Sequence, residues 1–365
     1  MSKPHPSLVD LAAGRPITSE HDPEGLYVSS VDHRMSGLLA ADEVGVRSLT
    51  EHDQLHLAGV QASMWAHNTM LRERLRELLS FASGVGAEVA AYKGVVTEER
   101  WYRQAGERVV TDLDLIVAPG SLDRAVDLIA VIEPLRVDEL RPLVSSGALQ
   151  SCELRFQDIT IDLHFDILKL ELLETRDPHH LWESMEQMDA FGTQVLTPNP
   201  SLSLTLTLLH AMRDRFRWLS SYSDVARIVQ DGRADLGEAL RLAESEGLGA
   251  QARIALNRID QGLGLGLGDM SGNGFRYRMV SMLWPRARSL RGTPLIHPPP
   301  RSTLKMAVLV KGRSLEAVRG LLLRLIPSRA VLDHYHPDVR GPYVIRLVSA
   351  RFRRRVEIMR KRFGR

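Results

Sequence analysis

One cysteine, Cys152, is all that the 365-residue chain contains. A single thiol excludes an internal disulfide framework and a cysteine-built zinc cage, and it fits a reducing, cytoplasmic setting. Long apolar runs are missing too. The most apolar window, 321–326, is broken by Arg324, so no membrane span is expected. The opening MSKPHPSLVDLAAGRP lacks the apolar stretch of a secretory signal. Nor is there an excess of one charge: the formal net charge is +2, which gives no chain-wide pull towards nucleic acid or membrane. Neither G-x-x-x-x-G-K nor H-E-x-x-H occurs.

What is present divides by texture. Residues 1–35, rich in Pro, Gly, Ser and charge, read as a flexible leader. Residues 36–86 read as helical: Thr50 with Asp53 has the form of a helix-capping pair, and Leu71, Leu75, Leu78 and Leu79 recur at helical spacing. Segment 87–197 alternates short apolar runs with helical ones. Strands are expected at 88–92, 109–117, 151–155 and 159–165, and helices at 95–104 and 121–132, the mark of a small mixed α and β unit. Residues 198–296 return to helical spacing, with helices at 202–218, 223–229, 235–246 and 250–263. A stiff His297-Pro298-Pro299-Pro300 linker opens a C-terminal helical segment, 297–365. The expected fold is therefore α+β, a small mixed sheet embedded in a mostly helical chain.

The chemistry concentrates on two strands. In Thr111-Asp112-Leu113-Asp114-Leu115 the carboxylates are two residues apart, so on a strand Asp112 and Asp114 share a face, roughly 6.5–7 Å apart at Cα. The run from Ile159 to Asp166 alternates Ile159, Ile161, Leu163 and Phe165 with Thr160, Asp162, His164 and Asp166. If the strands are neighbours, Asp162 joins Asp112 and Asp114. Three carboxylates that close repel strongly without cations, so the cluster reads as a two-metal site. Oxygen ligands favour Mg²⁺ or Mn²⁺. The bland alternative is a surface strand with alternate acids. His164 reads as a hydrogen-bonded neighbour of a carboxylate rather than a ligand, and Asp166 as solvated or a cap. Arg108 is either a phosphate contact or the partner of a nearby acid. His210, Arg213 and Arg217 share one helical face, which either lines a cleft or is simply solvated. Asp224 reads as a cap or structural partner, and Trp101, Trp182 and Trp284 as core or interface residues. Asp269, Ser271, Asn273 and Gly274 imitate a calcium loop, but Val280 stands where the bidentate Glu is needed.

Three segments carry a resemblance: Ala91-Tyr92-Lys93-Gly94, then 108–117, then Ile161-Asp162-Leu163-His164, followed by His210-Ala211-Met212-Arg213, Arg217-Trp218-Leu219 and Asp224. Together they resemble the uncharacterised nucleotidyltransferase family of bacteria, within the DNA polymerase β-like nucleotidyltransferase superfamily, best over 90–230. The resemblance implies a nucleotidyltransferase core. Asp112, Asp114 and Asp162 would be the catalytic and metal-binding residues, with Asp162 acting on the attacking hydroxyl. Lys93, Gly94, Thr97, Arg108, His210 and Arg213 would hold the nucleotide, with Gly94 letting the backbone approach the triphosphate. The implied partners are Mg²⁺ or Mn²⁺, an NTP such as ATP, and an acceptor that could be a small molecule, a peptide or RNA. The wider superfamily carries Gly-Ser or Gly-Gly at the turn. Here Val95 follows Gly94, so a phosphate-gripping hydroxyl is missing unless Lys93 or Thr97 replaces it. A catalytically degenerate member that only binds a nucleotide, peptide or partner is the alternative.

The tail, 351–365, carries eight Arg and Lys against the single acid Glu357, while Phe352, Val356, Met359 and Phe363 recur as a stripe. It reads as a basic amphipathic helix that docks at home, contacts a polyanion such as RNA, or rests on an anionic membrane surface. Deleting 351–365 separates these. Home docking predicts a destabilised, aggregation-prone protein. The polyanion reading predicts an unchanged melting temperature with loss of salt-sensitive tRNA retention. Full-length protein that binds neither tRNA nor anionic vesicles at low salt leaves home docking alone.

Overall fold

A computed structural model describes residues 4–18, 23–145, 149–168, 177–214 and 216–268. The sequence expectations for 297–365, for the calcium-like segment at 269–280 and for Trp284 lie outside the described residues. Among the described residues no helix is long and apolar enough to cross a membrane.

The centre is a four-stranded sheet. Its strands are β1 (Val89–Tyr92), β2 (Leu113–Val117), β3 (Ser151–Phe156) and β4 (Ile159–His164), in the order β1-β2-β4-β3. The middle pair, β2 and β4, runs parallel, and both outer pairings are antiparallel. A parallel pair needs a crossover. Here it is supplied by α7 (Leu122–Ile132), α8 (Val137–Ser145) and then β3, which returns to β4 through the Gln157-Asp158 turn. Leu113, Leu115, Val117, Ile161 and Leu163 face Ala125, Leu128 and Ile129 of α7 in one core. The chain reaches this sheet through the short helices α1 (Pro6–Ala12), α2 (Leu26–Asp32), α3 (Ser36–Ala40) and α4 (Glu43–Ser48), the long α5 (Glu51–Gly84), and α6 (Gly94–Trp101) after β1. Thr50 caps α5 by accepting from Asp53 N at 3.2 Å. Leu71, Leu75, Leu78 and Ala82 of its C-terminal half close the same core.

After the sheet come α9 (Pro178–Trp182), the hairpin β5 (Met185–Ala190) and β6 (Thr193–Pro198), and the helices α10 (Pro200–Arg213), α11 (Leu219–Gln230), α12 (Leu236–Ser245) and α13 (Gly249–Leu263). Asn199 caps α10 and Pro200 opens it. α10 is buried on two sides. Leu202, Leu206 and Leu209 pack with Tyr92 and Ile116 on the sheet's second face. Leu204, Leu208, Ala211 and Met212 join a helical core with α1, α11 and α13.

Several expectations change. Residues 6–12 are not a loose leader: α1 starts on Pro6, and Leu8, Val9 and Ala12 are buried against the later helices. The prolines and glycines there punctuate short helices whose stability comes from packing. The strand expected at 109–117 begins only at Leu113, leaving Asp112 in the lead-in. The hairpin β5–β6 was not expected. Its two-residue turn, Phe191-Gly192, has both φ angles positive, as a type I′ turn requires.

Glycines separate packing from propensity. A Cβ on Gly37 of α3 would meet Glu107 O at 2.6 Å, whereas one on Gly59 of α5 would meet nothing within 4 Å. Gly37→Ala is expected to cost at least about 1–3 kcal/mol by overpacking. Gly59→Ala is expected to add about 0.5–1 kcal/mol through helix propensity. Urea midpoints of the two variants that move in the same direction would contradict this packing of α3 on 106–107.

Candidate metal and anion site

The register places the chemistry. Asp114 of β2 lies directly opposite Asp162 of β4, Ile116 opposite His164, and Tyr92 of β1 opposite Asp114. Adjacent strands are about 4.8 Å apart, so the two carboxylates stand side by side on the sheet's polar face. His164 is fully buried between them. Its Nε2 lies 3.0 Å from Asp114 Oδ1 and 3.4 Å from Asp162 Oδ2. Ligand atoms of Asp114, Asp162 and His164 all lie within 4.8 Å of one another, a group that could hold a metal ion. His164 therefore does hydrogen-bond a carboxylate as expected, and it also completes the candidate ligand set. The alternation on β4 had already put it on the face of Asp162.

Asp112 does not belong to that group. Its Oδ1 accepts from Thr111 Oγ1 at 2.9 Å. Burial, then Asp114 and more weakly Asp162, raise its carboxyl above the ordinary range, so it remains in the same electrostatic field. Asp114 goes the other way. Burial alone would raise it, but Lys93, the His164 hydrogen bond and the neighbouring His210 outweigh burial and hold it well below the usual carboxylate range.

The Lys-Gly turn feeds this face. Lys93 has φ +55°, its Nζ donates to Tyr92 Oη at 2.9 Å, and it stands 3.8 Å from Asp114 Oδ1. Gly94 has φ +47°, and a Cβ there would press on Val110 at 3.2 Å and on Asp112 O at 3.3 Å. Glycine is thus needed for the chain's own approach to the lead-in of β2. Thr97 is buried one turn into α6, and Val95 is buried in the sheet core. From α10 come His210 and Arg213, which line a small pocket with Tyr92, Lys93 and Leu206. Burial first, then the charges of Lys93 and Arg213, drive the His210 imidazole well below its ordinary value, so it is neutral near pH 7. His210 Nε2 lies 3.2 Å from Asp214 Oδ2.

Arg108 is committed elsewhere. Its guanidinium forks onto Asp224 of α11, Nε to Oδ1 at 3.0 Å and Nη2 to Oδ2 at 2.9 Å, and Tyr102 Oη donates to Asp224 Oδ1 at 2.7 Å. Of the readings open from sequence, the acid partner is the one found, and the acid is Asp224. Two residues were missed. Tyr92, whose Oη is 3.4 Å from His164 Nε2, was signalled only by its place before Lys93-Gly94. Arg34, which is in the field of Asp214 and Asp112, had no local signal.

The profile of a family described as uncharacterised nucleotidyltransferase matches residues 19–263. No curated protein matches the chain.

The fork predicts an energetic signature. Asp224→Ala strands a buried guanidinium and a buried phenol, and should cost about 3–5 kcal/mol in urea unfolding. Replacing Arg108 by Met together with Asp224 by Leu should cost much less. Equal losses in the single and double variants would show that the pair is not coupled.

Proposed function

The chain belongs to the uncharacterised nucleotidyltransferase family, and from that premise we propose that it moves a nucleoside monophosphate from an NTP to an acceptor hydroxyl or phosphate in a reaction dependent on a divalent cation. The observation that carries this reading is the parallel register setting Asp114 beside Asp162, with Asp114 also opposite Tyr92, the residue before the Lys93-Gly94 turn. Two carboxylate oxygens and an imidazole nitrogen suit a divalent cation, and the carboxylates favour Mg²⁺ or Mn²⁺. Bound there, such an ion supplies charge neutralisation to the triphosphate. Asp114 and Asp162 would hold it, with His164 beside them and Asp112 within their field.

The remaining work belongs to the chain's own groups. Lys93 and Arg213 offer positive charge and N–H donors to the triphosphate, and the neutral His210 imidazole offers one N–H donor. Arg108, tied to Asp224, acts by placing the lead-in to β2 rather than by direct contact. In the transfer, an acceptor oxygen attacks the α-phosphorus. The bond from that phosphorus to the bridging oxygen breaks, and pyrophosphate leaves with the electron pair. A hydroxyl acceptor gives its proton to a carboxylate oxygen of Asp162, whereas an ionised phosphate acceptor has none to give. Catalysis of this kind is mostly positioning and preorganised charge.

One observation favours the degenerate alternative, a member that only binds a nucleotide or partner. Val95, at the position where the superfamily places a hydroxyl or a glycine, is 1% exposed and packed in the core, so it grips nothing. Incubation with each α-labelled NTP, Mn²⁺ and cell extract decides between the two. The enzyme reading expects label in a new covalent product, and binding without any product supports the alternative.

With Mn²⁺ and NTP together the protein should melt at a higher temperature, since a ligand of the native state stabilises it. Asp114→Asn combined with Asp162→Asn should abolish that gain and lower transfer by about 10²-fold or more. An identical response in the double variant and wild type would remove the metal assignment.

A further inference from the structure

The basic side chains around the carboxylates fall into two groups. Lys93, His210 and Arg213 share the pocket at Asp114. Arg34 and Arg217, stacked on one indole, form another, and Arg34 is in the field of Asp214 and Asp112. Arg108 also contributes to the field there, but its guanidinium is tied to Asp224.

Arg34 and Arg217 are unusual in what they touch. The Arg34 guanidinium lies over the Trp218 indole, 4.2 Å from the ring centroid, and that of Arg217 lies over the same indole at 4.4 Å. Among the described residues neither guanidinium has an ion-pair or hydrogen-bond partner. Asp214, the acid closest at hand, is already engaged by His210 at 3.2 Å and Arg213 at 3.4 Å. Two like charges held on one aromatic platform repel each other, and each keeps a full set of N–H donors for a ligand.

The backbone is set for this arrangement. Among the described residues, five non-glycine residues have positive φ. Gln157 and Phe191 lie in the two hairpin turns. The others are Lys93, Arg34 and Phe216, the last immediately before Arg217-Trp218. Left-handed backbone at such residues persists only where surrounding structure fixes it, and it gathers at functional sites. Ser220 N donates to His33 O at 3.4 Å, tying the two loops together, and the buried Phe216 ring packs edge-on against Tyr222.

We propose that Arg34 and Arg217, steadied on Trp218, form a second anion site that grips a phosphate group of the acceptor, so that the acceptor is a phosphate-bearing small molecule while the NTP triphosphate occupies the Lys93 side. This rests on the nucleotidyltransferase reading. Two guanidinium groups match the charge of a phosphate monoester, which is close to −2 at neutral pH, and their planar forks suit its oxygens. Asp112, two residues before Asp114 in the chain, is in the field of Arg34, so a molecule held here by its phosphate would present its reactive oxygen towards the side of the sheet where the α-phosphorus lies. The gripped phosphate is a handle, and the bonds made and broken are those given above.

The test is calorimetric titration of glycerol 3-phosphate, with glycerol as control, in the absence and presence of saturating Mn²⁺ and α,β-methylene-ATP. Wild type is expected to bind the monoester but not glycerol, with nucleotide bound or absent. Arg34→Ala combined with Arg217→Ala should weaken the monoester by about tenfold or more, the loss of one or two charge-assisted hydrogen bonds, and leave nucleotide affinity unchanged. Both side chains are exposed, so the melting temperature should not move. Arg34→Lys with Arg217→Lys should restore only part of the affinity. The proposal is overturned if wild type ignores the monoester, if the variant binds it equally well, if the nucleotide displaces it, or if the variant loses nucleotide affinity instead. Arginine-dependent monoester binding in a protein that ignores nucleotide would sink the transferase reading and leave the anion site standing.

Discussion

Asp114 and Asp162 are forced together by strand register, and the surroundings are arranged against their repulsion. Unit charges about 5 Å apart repel by about 3 kcal/mol at an effective dielectric of 20. A slip of one residue by either strand would turn that strand's carboxylate into the apolar core, so the sheet cannot relieve the strain by slipping. Relief comes from side chains. Lys93 stands 3.8 Å from Asp114, and His164 Nε2 reaches both carboxylates. The consequence is asymmetric: Asp114 is held firmly ionised, while Asp112, further from these cations, is pushed up. A divalent ion entering this face would take over a neutralising task that now falls to Lys93, with His164 contributing a hydrogen bond.

A second buried carboxylate holds the frame. Glu98 of α6 is 1% exposed, yet it accepts from Asn68 Nδ2 at 2.9 Å, Gly106 N at 2.8 Å and Arg108 N at 3.1 Å, and it pairs with Arg72 at 3.2 Å. One side chain thus joins α5, α6 and the segment leading into β2. Buried charge is tolerated only when saturated in this way. The same segment carries Arg108 to its fork with Asp224, so the lead-in to the site is clamped from both the sheet side and the helical side.

What could be read from sequence was whatever repeats locally. The alternation around Asp162 gave β4 and its two faces, and Thr50 marked the start of α5. The parallel partner of β4 was a guess from Asp114, and the register later supplied the pairing. Asp112 was misplaced because strand propensity at Val109 and Val110 does not reveal that Glu98 and Asp224 hold residues 106–108 out of the sheet. Met185–Ala190 is rich in residues that favour helices, and only pairing with β6 makes it a strand. Arg34 is invisible from sequence, since it reaches Trp218 across more than half of the described chain through packing alone. Asp224 meets Arg108 from 116 residues away.

The distribution of charge suggests how such a molecule changes its substrate. The acids proposed to handle phosphoryl chemistry, Asp114 and Asp162, sit on β2 and β4, the middle pair of the sheet. The basic side chains beyond Lys93 come from outside the sheet: His210 and Arg213 from α10, Arg34 from the loop between α2 and α3, Arg217 from the loop before α11. α10 is packed into both the sheet-side and the helical cores, so its side chains are placed rigidly over the acids. The two loops are tied mainly to each other and to α11. If Arg34 and Arg217 grip an anion as proposed, substitutions there would alter which anion is held without disturbing the register that brings Asp114 to Asp162. On the proposed reading, chemistry and selectivity fall to different layers of one structure: the carboxylates to the sheet, the acceptor's anion to the loops around the helices.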